Sequence, residues 1–283
     1  MSKAFSPRGG VSPRNTRLRG QSIIEYVLIT AVIGLVVIFA GPQVSGAIRN
    51  QLGTVTDTLD DGTVGENFYG AAELPDPENG TAFAIYSEDD RSLMFYKRRG
   101  VPKVGDMFND RRVTAVYTGF ETEKYEPVIP NDCNGPVNTP WYDRASACLK
   151  VQVVDSGIKP AWIESWFQNF QNCDNFDLSL LETGDVTSLE HIFYNCSTVR
   201  SIDLSGWDFS SSLTSTSMFA FCDRLEHIDF GDWVPDKLSA YGYMFDRCLS
   251  LSLDCSNWAV PLRAPHDGFN HFAPGVILPK AWQ

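Results

Sequence analysis

Little in this sequence points to catalysis, metal binding or nucleic acid. The 283-residue chain has only four histidines, His191, His227, His266 and His271. His266-Asp267 could be imagined as a base pair, but no GxSxG or HExxH text stands near it. No cysteine cluster of the CxxC kind, alone or with histidine, offers zinc-ligand spacing. The sequence therefore predicts a non-enzyme without cofactor or metal. Basic side chains are also scarce, with 23 Lys+Arg against 35 Asp+Glu and a formal charge of −12. Five of those bases, Lys3, Arg8, Arg14, Arg17 and Arg19, lie in the first 20 residues, which hold no acid. The remainder carries 18 bases against 35 acids, a net −17. Such a body lacks the cationic surface that nucleic-acid binding requires.

The long apolar run is confined to one place. Ile23 to Ala40 reads IIEYVLITAVIGLVVIFA and is followed by Gly41-Pro42. As a helix these residues rise about 27 Å, near the roughly 30 Å hydrocarbon thickness of a bilayer. The basic tip stays cytoplasmic by the positive-inside rule, which places the rest outside. A cleaved secretory signal is the alternative, although its apolar run is usually about 7–15 residues. Glu25 lies inside the run, where an unpaired carboxylate is costly. Cleavage after Gly20 would free an amino group on Gln21, and a neighbouring helix's Glu25 could pair with it and fix register. Residues 43–60 place Val44, Ile48, Leu52, Val55 and Leu59 at helical spacing, continuing the helix outward.

Beyond the linker at 61–80, strand-type text begins. Ala82–Ser87 and Ser92–Lys97 flank a turn and predict a hairpin; Val113–Thr118 and Leu149–Val154 predict further strands. The basic run Lys97-Arg98-Arg99 reads as a solvated strand end. Cys133 and Cys148 enclose 14 residues of loop-rich text. In an oxidising compartment a disulfide between them would contribute about 3 kcal/mol.

From about residue 161 the chain repeats itself. Ile192-Phe193-Tyr194-Asn195-Cys196, Met218-Phe219-Ala220-Phe221-Cys222 and Met244-Phe245-Asp246-Arg247-Cys248 advance by 26 residues. Phe176-Asp177-Leu178-Ser179, Ile202-Asp203-Leu204-Ser205, Ile228-Asp229-Phe230-Gly231 and Leu253-Asp254-Cys255-Ser256 keep nearly the same period, as do Trp207, Trp233 and Trp258. An earlier, shortened copy contains Trp166, Phe167 and Cys173. Registers sharing one period predict a solenoid whose units stack to bury a common face. Each unit is expected to hold a short strand opposite a helical turn. Cys173, Cys196, Cys222 and Cys248, with Phe193, Phe219, Phe245, Trp207, Trp233 and Trp258, read as its core. Asp203, Asp229 and Asp254 recur with the repeat and are expected to bond loop backbone. Val234-Pro235-Asp236 breaks the pattern that the preceding copy sets.

Two resemblances rest on these residues. Gly20-Gln21-Ser22-Ile23-Ile24-Glu25-Tyr26 resembles the processing site of Flp-type pilins of tight-adherence pili, in the type IV pilin superfamily. It implies cleavage between Gly20 and Gln21 by a membrane aspartic prepilin peptidase, with Glu25 and Tyr26 serving subunit assembly with other pilin subunits. Residues 160–260 resemble the BspA-like leucine-rich-repeat surface proteins of bacteria, which implies surface display and adhesion.

The combined expectation is an α+β chain: a basic leader (1–20), a transmembrane and pilin helix with stalk (21–60), a linker (61–80), a β-rich domain (81–160), repeats (161–262) and a C-terminal cap (263–283). Its function would be that of a pilin-like subunit, anchored in the cell membrane, that presents an extracellular repeat head to a protein or glycan ligand. The alternative is a single-span, membrane-anchored repeat protein independent of pili.

Overall fold

The structure, a computed structural model, describes residues 75–125 and 136–283. The predicted hairpin is present. Strand β1 (Thr81–Ser87) runs antiparallel to β2 (Ser92–Arg98), in register from Thr81 opposite Arg98 to Ser87 opposite Ser92. Both strands are buried on both faces, which is why their text is continuously apolar rather than alternating. Ala82, Ala84 and Tyr86 join the main core, while Phe83 and Ile85 meet Met94, Tyr96, Phe108 and Val113 in a second cluster. A short hairpin of β3 (Met107–Phe108) and β4 (Arg111–Arg112) leads to β5 (Ala115–Thr118), antiparallel to β1.

In the basic run Arg99 is exposed, as its reading as solvated expects, whereas Lys97 and Arg98 are largely covered. Arg98 is buried and holds Asp155 through two bonds, Nε to Oδ2 at 2.8 Å and Nη2 to Oδ1 at 3.3 Å. The Asp155 carboxylate also accepts the Lys97 backbone N–H at 3.0 Å, and the guanidinium lies 4.8 Å from the Tyr96 ring centroid. Lys97 pairs with Glu121 and Arg99 with Asp76. A buried cation requires such partners, and they are supplied by residues far away in sequence.

The sheet then passes into the repeats. β6 (Lys150–Val153) is parallel to β2, and β7 (Asn175–Asp177) is parallel to β6, giving the order β5-β1-β2-β6-β7. Further rungs follow at β8 (Ser201–Asp203) and β9 (His227–Asp229), paired Ile202 to Ile228, then at β10 (Leu253–Asp254) and β11 (Val276–Ile277). After each of three rungs an aspartate caps the turn. Asp203, Asp229 and Asp254 accept the backbone N–H two residues on, at 3.0, 2.8 and 2.8 Å. At Gly231, with φ +59°, a Cβ would stand 2.9 Å from the Ser205 carbonyl oxygen, so the tight turn there suits glycine.

The opposite side of each unit is not the helical turn its spacing suggests. The N–H groups of His191, Phe193 and Asn195 donate to the carbonyls of Thr216, Met218 and Ala220 in the next unit, at 2.8–3.1 Å. Tyr194 N–H, between two of them, donates within its own unit to His191. The same alternation recurs at Ser217, Phe219 and Phe221 and at Tyr243, Phe245 and Arg247. It is accompanied by left-handed residues at fixed phase, His191 and Asn195, Ser217 and Phe221, Tyr243 and Arg247. Alternate N–H groups committed to the next unit leave too few for an i→i−4 helical ladder.

The α+β expectation is corrected accordingly. The described chain is strands and turns, with one four-residue α-helix, α1 (Tyr142–Ala145). The helix expected over 21–60 lies outside the described residues. Among the described residues no helix is long and apolar enough to cross a membrane.

Candidate functional site

The repeat phenylalanines form a column. Ring centroids of Phe193 and Phe219 are 5.5 Å apart and those of Phe219 and Phe245 5.7 Å, with planes 5° and 7° from parallel. Cys196, Cys222 and Cys248 are buried beneath them, each thiol donating to a carbonyl of the preceding unit, of Phe167, Phe193 and Phe219 respectively. Burial pushes the Cys222 thiol up to about 12 and holds Cys196 and Cys248 well above the ordinary range. Cys173 stands in another column. Phe170 N–H donates to Phe167 as Cys196 N–H does to Phe193, so Phe170 takes the cysteine's place in the earlier copy. Cys173 is buried three residues further on, in the position that Leu225 and Leu251 take in later units. Cys148 is buried with a free thiol, and Cys133 lies outside the described residues. Gly20, Gln21, Glu25 and Tyr26 also lie outside them.

Three of the four histidines pack against neighbouring side chains. His266 lies flat on Trp282, with centroids 4.2 Å apart, and its Nδ1 is 2.7 Å from the Ala264 carbonyl. His271 Nδ1 is 3.0 Å from Asp246 Oδ1 in the neighbouring unit. His191 packs beside Tyr194, and burial lowers its pKa. His227 is exposed on β9. Among the described residues no three or more His, Cys, Asp or Glu converge as metal ligands.

The tryptophans lead to a concave site that carries chemistry. Trp207 is buried, and its indole N–H donates to the Leu178 carbonyl at 3.3 Å. Trp233, one unit later, is half-buried and lies on Phe209 with centroids 4.4 Å apart. Between the two turns opens a groove of about 330 Å³. Phe209, Phe230 and Trp233, with Trp207, supply its aromatic lining, and Asp208, Asp232 and Asp236 its carboxylates. Lys237 also lines it, its ammonium donating across to the Ser210 carbonyl at 3.3 Å.

The groove exists because the two turns differ. In the earlier unit Asp208 accepts Ser210 N–H at 2.8 Å, and Asp208 N–H donates to Thr183 Oγ1 at 2.9 Å. These bonds from Ser210 hold the Asp208 carboxyl below the usual carboxylate range. One period later Val234 stands where Asp208 stood and Pro235 where Phe209 stood. The turn is held instead from beneath, where the buried Tyr241 hydroxyl donates to the Pro235 carbonyl. Burial raises the Tyr241 phenol pKa, keeping it a donor. Phe209, Asp232, Asp236 and Lys237 were not singled out by the repeat pattern. The signal that marks them is the break at Val234-Pro235-Asp236.

Comparison with known proteins bears on this region alone. Residues 163–271 match the family model described as Mycoplasma protein of unknown function, DUF285, a BspA-like surface-protein family. The repeats are similar to that family. The match covers less than half of the chain, and no curated protein or solved structure matches. It leaves the N-terminal segment without support as a pilin, so the pilin resemblance and its transmembrane-helix reading are withdrawn. The processing of Gly20-Gln21, the assembly roles of Glu25 and Tyr26, and the prepilin peptidase and pilin subunits as partners are untested, the residues concerned lying outside the described ones.

Proposed function

We propose that this is a surface-displayed repeat protein whose repeats form a non-enzymatic binding head, held outside the cell. Its groove between residues 205–212 and 230–238 takes an extended protein segment bearing Lys or Arg. The observation that carries the ligand class is the groove's make-up, three carboxylates against one lysine around Phe209, Phe230 and Trp233. Aromatic faces and carboxylates together suit cationic side chains with apolar stems. Surface display is supported by the similarity of residues 163–271 to a surface-protein family. The acidic balance of the chain, −12, favours a basic partner and speeds its encounter.

The test is binding of the full chain to three fluorescent peptides matched in length, one Lys/Arg-rich with aromatics, one neutral and one acidic, alongside a glycan array. The basic peptide is expected to bind best and to weaken with added salt. Asp232→Asn with Asp236→Asn is expected to weaken it about tenfold, since two partly screened charge pairs are worth about 1.4 kcal/mol together. Equal binding of all three peptides, insensitivity to both substitutions, or selective binding of a neutral glycan would overturn the reading.

A further inference from the structure

Cys148 and Cys173 occupy equivalent places in successive rungs. β6 and β7 are parallel with Lys150 opposite Asn175, and each cysteine stands two residues before its member of that pair. Each thiol donates to the carbonyl two residues on, Cys148 to Lys150 at 3.1 Å and Cys173 to Asn175 at 3.4 Å. The two side chains are thus oriented alike, one rung apart. The other stacked cysteines differ. Cys196, Cys222 and Cys248 also follow one another by the period, but each thiol is directed at a backbone carbonyl 29 residues earlier. Parallel neighbours in register lie about 4.8 Å apart, inside the roughly 4.4–6.8 Å Cα window a disulfide accepts.

We propose that Cys148 and Cys173 are joined by a disulfide when the chain folds in an oxidising compartment, tying β6 to β7 where the hairpin sheet meets the repeats. The oxidant is a protein disulfide of a thiol oxidase. The Cys148 thiolate attacks that disulfide to form a mixed disulfide, and the Cys173 thiolate then attacks the Cys148 sulfur and releases the oxidase as a dithiol. Two electrons and two protons leave the cysteine pair and reside in the reduced oxidase. Both cysteines are buried in the folded chain, so the exchange belongs to a stage before the rungs close.

The proposal competes with a bond from Cys148 to Cys133, and one experiment separates them. The full chain is exported through an oxidising periplasm, denatured in alkylating reagent without reductant, digested and mapped by mass spectrometry. A peptide pair linking Cys148 to Cys173, lost on reduction and retained in Cys133→Ala, is the expected result. Alkylation of both Cys148 and Cys173, a Cys133–Cys148 link, or disappearance of the linked pair in Cys133→Ala would overturn it.

Discussion

The β-rich stretch and the repeats solve the same packing problem by opposite means. In the first, stability is vested in unlike partners brought together from afar. Arg98 needs Asp155, and the Trp141 indole N–H needs the Trp166 carbonyl, 2.6 Å away. In the second, each residue meets its own copy, as Phe219 lies between Phe193 and Phe245. Energy in the first is concentrated in few pairs, each all-or-none. Energy in the repeats is a sum over similar interfaces between neighbouring units.

The strongest test removes one member from each system. Phe219→Ala empties the middle of the ring column and is expected to cost about 4 kcal/mol. Hydrogen exchange should speed up most in the flanking units, among the inter-unit N–H bonds of residues 191–195 and 243–247, and least in the hairpin. Asp155→Ala leaves the Arg98 guanidinium buried and uncompensated, and is expected to cost about 3 kcal/mol. Pairing Asp155→Leu with Arg98→Met is expected to recover most of that loss in chemical denaturation, whereas no second substitution rescues Phe219→Ala. If the double variant is no better than the single, the ion pair is not what concentrates stability in the hairpin.

A further effect in the repeats is read by pH. Cys222 and Cys255 have thiol pKa values pushed up by burial to about 12, from an ordinary 9.0. The folded state therefore keeps protons that the unfolded state releases. That stability is fully present below about pH 9 and is lost as pH rises from there toward 12. Each buried thiol contributes a slope of about 1.4 kcal/mol per pH unit over that window. Cys222→Ala is expected to flatten the alkaline decline of the unfolding free energy by about that amount, whatever it does at pH 7. An unchanged slope would mean that the thiol ionises as readily in the folded chain as in the unfolded one.

The same contrast governs what could be read from the sequence. The solenoid was legible because its period is written three times over, in Phe-x-x-Cys, in Ile-Asp-Leu-Ser and in the tryptophans. The rungs fall within a residue or two of where that text places them. The turn opposite each rung was not legible, since its three-and-four spacing matches a helix while its N–H groups are shared with the next unit. Phe170 and Cys173 show the same limit at finer scale: the shortened copy's Cys173 was grouped with Cys196, Cys222 and Cys248, whereas Phe170 holds their place. The buried Arg98 was illegible for a different reason. A run of Lys97, Arg98 and Arg99 looks solvated unless Asp155, 57 residues on, is known to be its partner. The groove was half legible, as the departure at Val234 was visible but its consequence depends on how the two turns diverge in space.

That departure can be reversed, which gives the smallest expected change in stability and the sharpest test of the groove. Val234→Asp, Pro235→Phe, Asp236→Ser and Lys237→Ser together rewrite the later turn in the text of Asp208-Phe209-Ser210-Ser211. An aspartate at 234 can accept the N–H of residue 236 as Asp208 accepts that of Ser210, and a phenyl ring at 235 can lie against Trp258 as Phe209 lies against Trp233. One cross-groove bond, from Lys237 to Ser210, is lost. Gains and losses of this size offset, so stability is expected to change by about 1 kcal/mol or less. Binding of the basic peptide separates shape from charge. The rewritten turn carries one aspartate in place of Asp236 and no lysine, so the groove region becomes more acidic while its concavity closes. Attraction to a merely acidic surface would strengthen the complex. A ligand seated among Phe209, Phe230 and Trp233 would be excluded, and the expected result is loss of binding at unchanged melting temperature.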